Sequence, residues 1–121
     1  VPYAATLSIA HPDDFRDKIR TALGIRGFRF FLLHAPCPAG WKAEPAESIE
    51  LVRLAVRSGV FPLYEVVDGV KYRINVEPDG TDPAEYFGRQ KRFGGGAVDL
   101  EALGRAVAER NRRLRQLAEM A

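Results

Sequence analysis

Residues 34–41 read His34-Ala35-Pro36-Cys37-Pro38-Ala39-Gly40-Trp41 and hold the one cysteine of the chain. A thiolate is both a soft metal ligand and a nucleophile, so Cys37 is where chemistry is first sought. Two prolines clamp it. Proline fixes φ and removes a backbone donor, so this stretch is expected neither to continue a strand nor to begin a helix until after Gly40. A single sulfur cannot complete a metal site, so any other ligands come from elsewhere. A structural zinc needs about four ligands, and His11, His34 and Cys37 are the only soft candidates worth weighing. His34 lies three residues before Cys37, which makes a Cys–His nucleophilic pair conceivable, although no orienting carboxylate accompanies it. The plainest reading of a free cysteine is a small buried hydrophobe.

Other residues have plainer readings. Asp13, Asp14 and Asp17 suggest a hard cation site, but they open a helix and suit its dipole as a solvated edge. His11 is read as a helix cap, with a substrate contact as the alternative. Trp41 is read as a packing anchor beside the cysteine. Gly94-Gly95-Gly96 lacks the strand before it and the Lys-Ser or Lys-Thr after it that a phosphate loop requires, so it reads as a linker.

These residues need elements to position them. Tyr3 to Ile9 is short and apolar, as in a buried strand. Pro12 suits a first helical position, Phe15, Ile19 and Leu23 share a face, and Gly24 is a stop. Phe28 to His34 reads as a second buried strand. Strand, helix and strand within this length form a parallel βαβ unit, and such sheets place ligands at the carboxyl ends of their strands. His11 and the Cys37 loop both lie at that end. Pro45 opens another helix, with Ile49, Val52 and Val56 inward and Gly59 after its end.

Pro62 to Val67 and Val70 to Val76 are strands joined by Asp68-Gly69, a favoured hairpin turn. Tyr72, Ile74 and Val76 alternate with Lys71, Arg73 and Asn75, as on a half-exposed strand. Asp82-Pro83 starts a short helix, and Asp99 caps a long final one. Leu100, Leu103, Val107, Leu114 and Leu117 form its seam, with Arg110 at the one polar seam position. Glu101–Arg105 and Glu109–Arg113 are favourable pairs four apart. That helix lies on its own domain or, alternatively, against a partner.

Composition narrows the function classes. At 46% hydrophobic residues, the 121-residue chain has enough apolar content for a core. No apolar run reaches the roughly 20 residues of a membrane span, and no signal peptide is visible. One cysteine fits a reducing, cytoplasmic setting. Residues 1–88 hold 10 Lys/Arg against 12 Asp/Glu, whereas residues 89–121 hold 8 against 4. That basic stretch has no reading element for nucleic acid, so nucleic acid is not expected as a partner, and neither is a membrane.

Several ordered motifs carry a family resemblance. The segment Tyr3-Ala4-Ala5-Thr6-Leu7-Ser8-Ile9-Ala10-His11-Pro12-Asp13-Asp14-Phe15 resembles the stretch before the cluster cysteine in beta subunits of 2-oxoacid:ferredoxin oxidoreductases. Residues 34–41 resemble that family's Pro-Cys-Pro-x-Gly-Trp loop. Residues 49–56 and Gly59-Val60-Phe61-Pro62-Leu63-Tyr64-Glu65 are similar to the helix and strand that follow. Glu85-Tyr86-Phe87-Gly88-Arg89-Gln90, with Arg92 and Phe93, resembles the family's C-terminal extension. The loop is closer to the pyruvate and branched-chain types than to the 2-oxoglutarate type.

The resemblance implies an α/β fragment of a thiamine-diphosphate-fold domain, with residues 1–60 as its C-terminal part. Residues 61–121 would be the extension, a hairpin plus helices. Such enzymes oxidatively decarboxylate a 2-oxoacid, here pyruvate or a relative, on thiamine diphosphate with Mg2+. They pass electrons through a [4Fe-4S] cluster to ferredoxin and form an acyl-CoA. Cys37 matches the fourth cluster cysteine. The other three and the Gly-Asp-Gly diphosphate motif belong to the family's N-terminal half and are absent from this sequence. The implied partners are that half, the other subunits, ferredoxin, and the 2-oxoacid and coenzyme A substrates. The chain alone is expected to be inactive and to hold no cofactor. The alternative is a non-catalytic interaction module descended from the same domain.

Overall fold

A computed structural model describes residues 1–94 and 98–120. Tyr3–Ser8 forms β1 and Pro12–Leu23 forms α1, with Pro12 at the first position as its fixed φ favours. Arg29–His34 forms β2 and pairs parallel with β1 over its whole length, from Tyr3 opposite Arg29 to Ser8 opposite His34. The parallel βαβ unit read from the sequence is therefore present.

A short helix, α2, spans Pro38–Trp41. This corrects the expectation that no helix begins before Gly40 is passed. A proline in the first helical turn forfeits no bond the helix needs, so Pro38 starts the turn. Lys42 ends it in the left-handed conformation at φ 52°. Pro45–Glu47 is a 3-10 turn leading into α3, Ser48–Arg57.

The hairpin follows as read. Leu63–Val67 is β3 and Lys71–Val76 is β4, and both Asp68 and Gly69 have positive φ, as a tight two-residue turn of matching twist requires. β3 pairs antiparallel with β1, so the sheet order is β2-β1-β3-β4. Thr6 pins that junction. Its hydroxyl donates to the Pro62 carbonyl at 2.7 Å and accepts from the Tyr64 N–H at 3.0 Å. Pro83–Gly88 is α4 and Leu100–Glu119 is α5. Asp82 and Asp99 cap them, each carboxylate accepting a backbone N–H of the first turn. Of the glycine linker, Gly95 and Gly96 lie outside the described residues.

The larger core joins α3, α4 and α5. Leu51, Val52, Leu54 and Ala55 pack with Trp41, Tyr86, Phe87 and Val107. A smaller core of Tyr3, Ala5 and Ala22 lies between the sheet and α1. Three inward faces differ from expectation. On α1 the buried residues are Lys18 and Ala22, whereas Leu23 is exposed. Lys18 is tolerated inside because its ammonium donates to the Thr6 carbonyl at 2.9 Å and to Asp14 at 2.7 Å. On α3, Ile49 is exposed and Leu51, Leu54 and Ala55 join Val52 and Val56 inside. β2 is the third, an edge strand with Phe30, Leu32 and Leu33 about half exposed rather than buried.

α5 lies on its own domain, against β4 and α4, with Val107 and Leu114 buried. Of its expected ion pairs, Glu109 meets Arg112 rather than Arg113. Arg110, the polar seam residue, has a structural job. Its guanidinium donates to the carbonyls of Gly59 and Val60 at 2.6 and 2.7 Å. Asn111 adds a bond to the Gly59 carbonyl at 2.8 Å. These carbonyls follow the end of α3, so the seam is polar where it clamps a chain reversal. Hydrogen bonds to charged donors contribute about 1.5–3 kcal/mol net, and this one is partly solvated. Arg110→Ala should therefore cost about 2 kcal/mol in urea unfolding, and Arg110→Lys should recover little of it, because an ammonium cannot span both oxygens as the fork does.

Candidate functional site

The site lies where β1 and β2 end side by side, Ser8 opposite His34. After β1 the chain turns sharply. The Ala10 N–H donates to the Ser8 hydroxyl and the His11 N–H to the Ser8 carbonyl, both at 3.2 Å. After β2 the chain runs through Pro36 to Cys37, just ahead of α2. The Cys37 carbonyl accepts the Trp41 N–H at 2.8 Å, which closes the turn. The thiol itself is free and exposed. A side chain at position 40 would bring a Cβ within 3.0 Å of the sulfur, so Gly40 leaves the sulfur its room. Exposure overturns the buried-hydrophobe reading of Cys37. The sulfur is presented on a short stiff turn at the sheet edge where such folds place ligands.

The floor beneath this turn is aromatic. The His34 ring is stacked between Trp41, at 5.4 Å between centroids, and Phe61, at 4.8 Å. Its Nε2 lies 3.2 Å from the Tyr86 hydroxyl. Trp41 is buried and meets Tyr86 edge-on at 6.1 Å, a favourable arrangement of ring quadrupoles. The Arg92 guanidinium sits 4.9 Å from the Trp41 ring centre, a cation–π contact. Gln90 is buried between them in the chain of bonds, accepting from Arg92 at 2.7 Å and donating to the Tyr86 carbonyl at 2.9 Å. The reading of Trp41 as a packing anchor is what the packing shows. The Cys–His pair is not formed, since His34 is held between two rings with its Nε2 on Tyr86.

Burial, with the Arg92 charge nearby, holds the His34 imidazole below its ordinary pKa of 6.5. Burial raises the Tyr86 phenol. The consequence for stability has a sign. Between the folded pKa of His34 and 6.5, the unfolded chain binds the proton more readily than the folded one. The contribution of neutral His34 is complete above pH 6.5 and is lost as pH falls through the folded value. The difference in urea midpoint between the parent chain and His34→Phe should thus shift against the parent on going from pH 7.5 to pH 5. A difference constant with pH would contradict the neutral-imidazole assignment.

His11 does not cap α1. No side-chain bond reaches the helix, and its Nδ1 is buried without a partner, as is Nδ1 of His34. A ring placed before a proline at the helix start has no free N–H from that residue to accept, whereas Asp82 and Asp99 reach further into their helices. The three aspartates do not converge either. Asp14 binds Lys18, while Asp13 and Asp17 each lie 3.4 Å from Arg16. Among the described residues, no group of three or more His, Cys, Asp or Glu side chains stands close enough to hold a metal ion. Zinc held by His11, His34 and Cys37 is thereby excluded as a three-ligand site. The donor set at the sheet edge is one exposed thiol, which fits one corner of a shared metal centre and nothing larger.

Sequence spacing gave no route to the floor. Phe61 and Tyr86 lie 27 and 52 positions beyond His34, and only the folded chain brings their rings to it. Among the described residues, no helix is long and apolar enough to cross a membrane.

No protein-family model matches the chain. Individual proteins do. It is 44% identical over 124 aligned positions to the ketoisovalerate oxidoreductase subunit VorB of Pyrococcus horikoshii, which covers 99% of this chain and 40% of that protein. VorB of Pyrococcus furiosus matches with the same identity and coverage. The pyruvate synthase subunit PorB of Methanothermobacter marburgensis is 46% identical over 94 positions, covering 77% of this chain and 32% of that subunit. The chain thus spans about 40% of the length of the VorB relatives.

Proposed function

We propose, from the premise that this chain belongs with the VorB- and PorB-type beta subunits of 2-oxoacid:ferredoxin oxidoreductases, that it is the part of such a subunit that supplies one cluster ligand. Cys37 is that ligand, and the observation that carries the reading is its exposed thiol on the turn after β2. A cubane iron–sulfur cluster is commonly held by four thiolates. This chain provides one, so three come from protein outside it, in the N-terminal half of the subunit. When bound, the cluster passes electrons one at a time. This chain's own residues fix the sulfur's position and keep an apolar, aromatic floor beside it, which limits water near the metal.

Residues 1–60 are then the C-terminal part of the thiamine-diphosphate domain and residues 61–121 the beta-subunit extension. The whole enzyme oxidatively decarboxylates a 2-oxoacid to an acyl-CoA on thiamine diphosphate with Mg2+, reduces ferredoxin and works in the cytoplasm. Pyruvate is the first substrate. A branched-chain 2-oxoacid is a specific second, because the VorB matches extend over 99% of the chain and the PorB match over 77%. The deciding experiment is anaerobic purification of the complete enzyme, followed by ferredoxin reduction with coenzyme A and either pyruvate or ketoisovalerate. Reduction with neither acid, in an enzyme holding its cofactors, would remove the assignment. The interaction-module alternative requires a complete assembly with no 2-oxoacid oxidation at all.

A further inference from the structure

β2 is apolar on both faces and hydrogen-bonded on one side. Phe30 and Leu32 pair across with Ala4 and Thr6, and the residues between them, Phe31 and Leu33, point the other way. Phe30, Leu32 and Leu33 are 50%, 52% and 47% exposed. A strand built for a solvent edge alternates apolar with polar, or carries charges that block further pairing. β4, the opposite edge, does this with Lys71, Arg73 and Asn75. β2 does not. Its pattern is that of an interior strand of a parallel sheet, covered on both faces.

One face also continues beyond β2. Phe30, Ala4 and Val66 lie in register across three strands, and beside Leu32, Thr6 and Tyr64 they line a shallow apolar hollow of about 90 Å³. No helix of the described chain covers it, since α1 packs on the Tyr3 and Ala5 side and α5 lies against β4.

We propose that the rest of the subunit docks here, adding a strand parallel to β2 along its free edge and a layer over the face of Phe30 and Leu32. This rests on the reading of the chain as part of a VorB- or PorB-type subunit. The occupant follows from length, since about 60% of a VorB subunit lies outside the matched region and must meet this part somewhere. It also follows from chemistry. An edge with unpaired backbone groups flanked by aromatic and leucine side chains on both sides calls for a strand, not for a helix alone.

The test compares hydrogen exchange of residues 28–34 in the isolated chain and in the complete subunit. Amides of β2 should exchange at least about tenfold more slowly in the complete subunit. Leu32→Lys should leave the isolated chain's unfolding midpoint nearly unchanged and sharply lower the yield of the assembled subunit. Equal exchange in both settings would overturn the proposal, as would a complete subunit whose β2 edge pairs with a second copy of itself. Cluster spectroscopy on the same preparations keeps the two readings apart. A cluster ligated by Cys37 with β2 still open removes the docking site alone, and a protected β2 with no cluster removes the proposed function alone.

Discussion

Cys37→Ala in the complete enzyme should abolish the cubane signal in electron paramagnetic resonance, or convert it to a three-iron form. Ferredoxin reduction should fall by well over the ~100-fold that loss of an outer-sphere partner produces. A missing thiolate removes a bond to iron, whereas an outer partner only tunes one. The fold should hardly notice. The thiol is exposed, and the bond that closes its turn runs from Trp41 to the Cys37 carbonyl, which alanine keeps. Exposed substitutions of this kind shift stability by roughly 0.5 kcal/mol or less. Trp41 is the sole tryptophan, so its emission reports on the turn alone and should be unchanged in the isolated variant. An intact four-iron signal in Cys37→Ala would end the ligand assignment, and altered Trp41 emission would show that the variant had disturbed the turn.

How far the structure was legible depended on where each signal lived. Local stereochemistry was readable. Pro12, Asp82 and Asp99 mark helix starts because their effects are confined to a turn, and Asp68-Gly69 marks the hairpin because positive φ at two adjacent residues favours so few residue types. The same rule misled at Pro38, where a breaker of strands is also a starter of helices. Burial was less readable. Phe28 to His34 has the composition of an interior strand, yet composition answers to the whole protein and not to the stretch at hand. Lys18 carries no sign in sequence that it will be buried. The Thr6 carbonyl that receives it comes from a strand twelve residues earlier, and only Asp14, one turn back, was a hint.

The candidate site divides the same way. Cys37 and Trp41 stood out by type and spacing, and the sheet edge followed from the βαβ pattern. Their support did not. Tyr86, Gln90 and Arg92 come from the far side of the hairpin, and Phe61 from the segment before it. Arg110 was visible as an anomaly in an apolar seam. Its reason, two carbonyls past the end of α3, was not.

Trp41→Ala should be the most damaging single change near the cysteine. Trp41 is 8% exposed and touches both the core of α3 and α4 and the ring of His34. Truncating a buried Trp or Phe costs about 3–5 kcal/mol, through lost transfer energy and an unfilled cavity. Two contacts disappear besides, the stack on His34 and the seat of the Arg92 guanidinium. Trp41→Phe should recover most of the loss, because it restores a ring between His34 and Tyr86. Urea unfolding followed by circular dichroism measures both. The functional consequence separates packing from ligation. In the complete enzyme, Trp41→Ala keeps all four sulfurs but releases the turn that aims one of them and opens its floor to water. The cluster should assemble, bleach in air severalfold faster than in the parent enzyme, and shift its reduction potential, since solvent exposure is one of the levers on that potential. A variant with parent stability and parent bleaching would show that the aromatic floor neither holds the turn nor guards the metal.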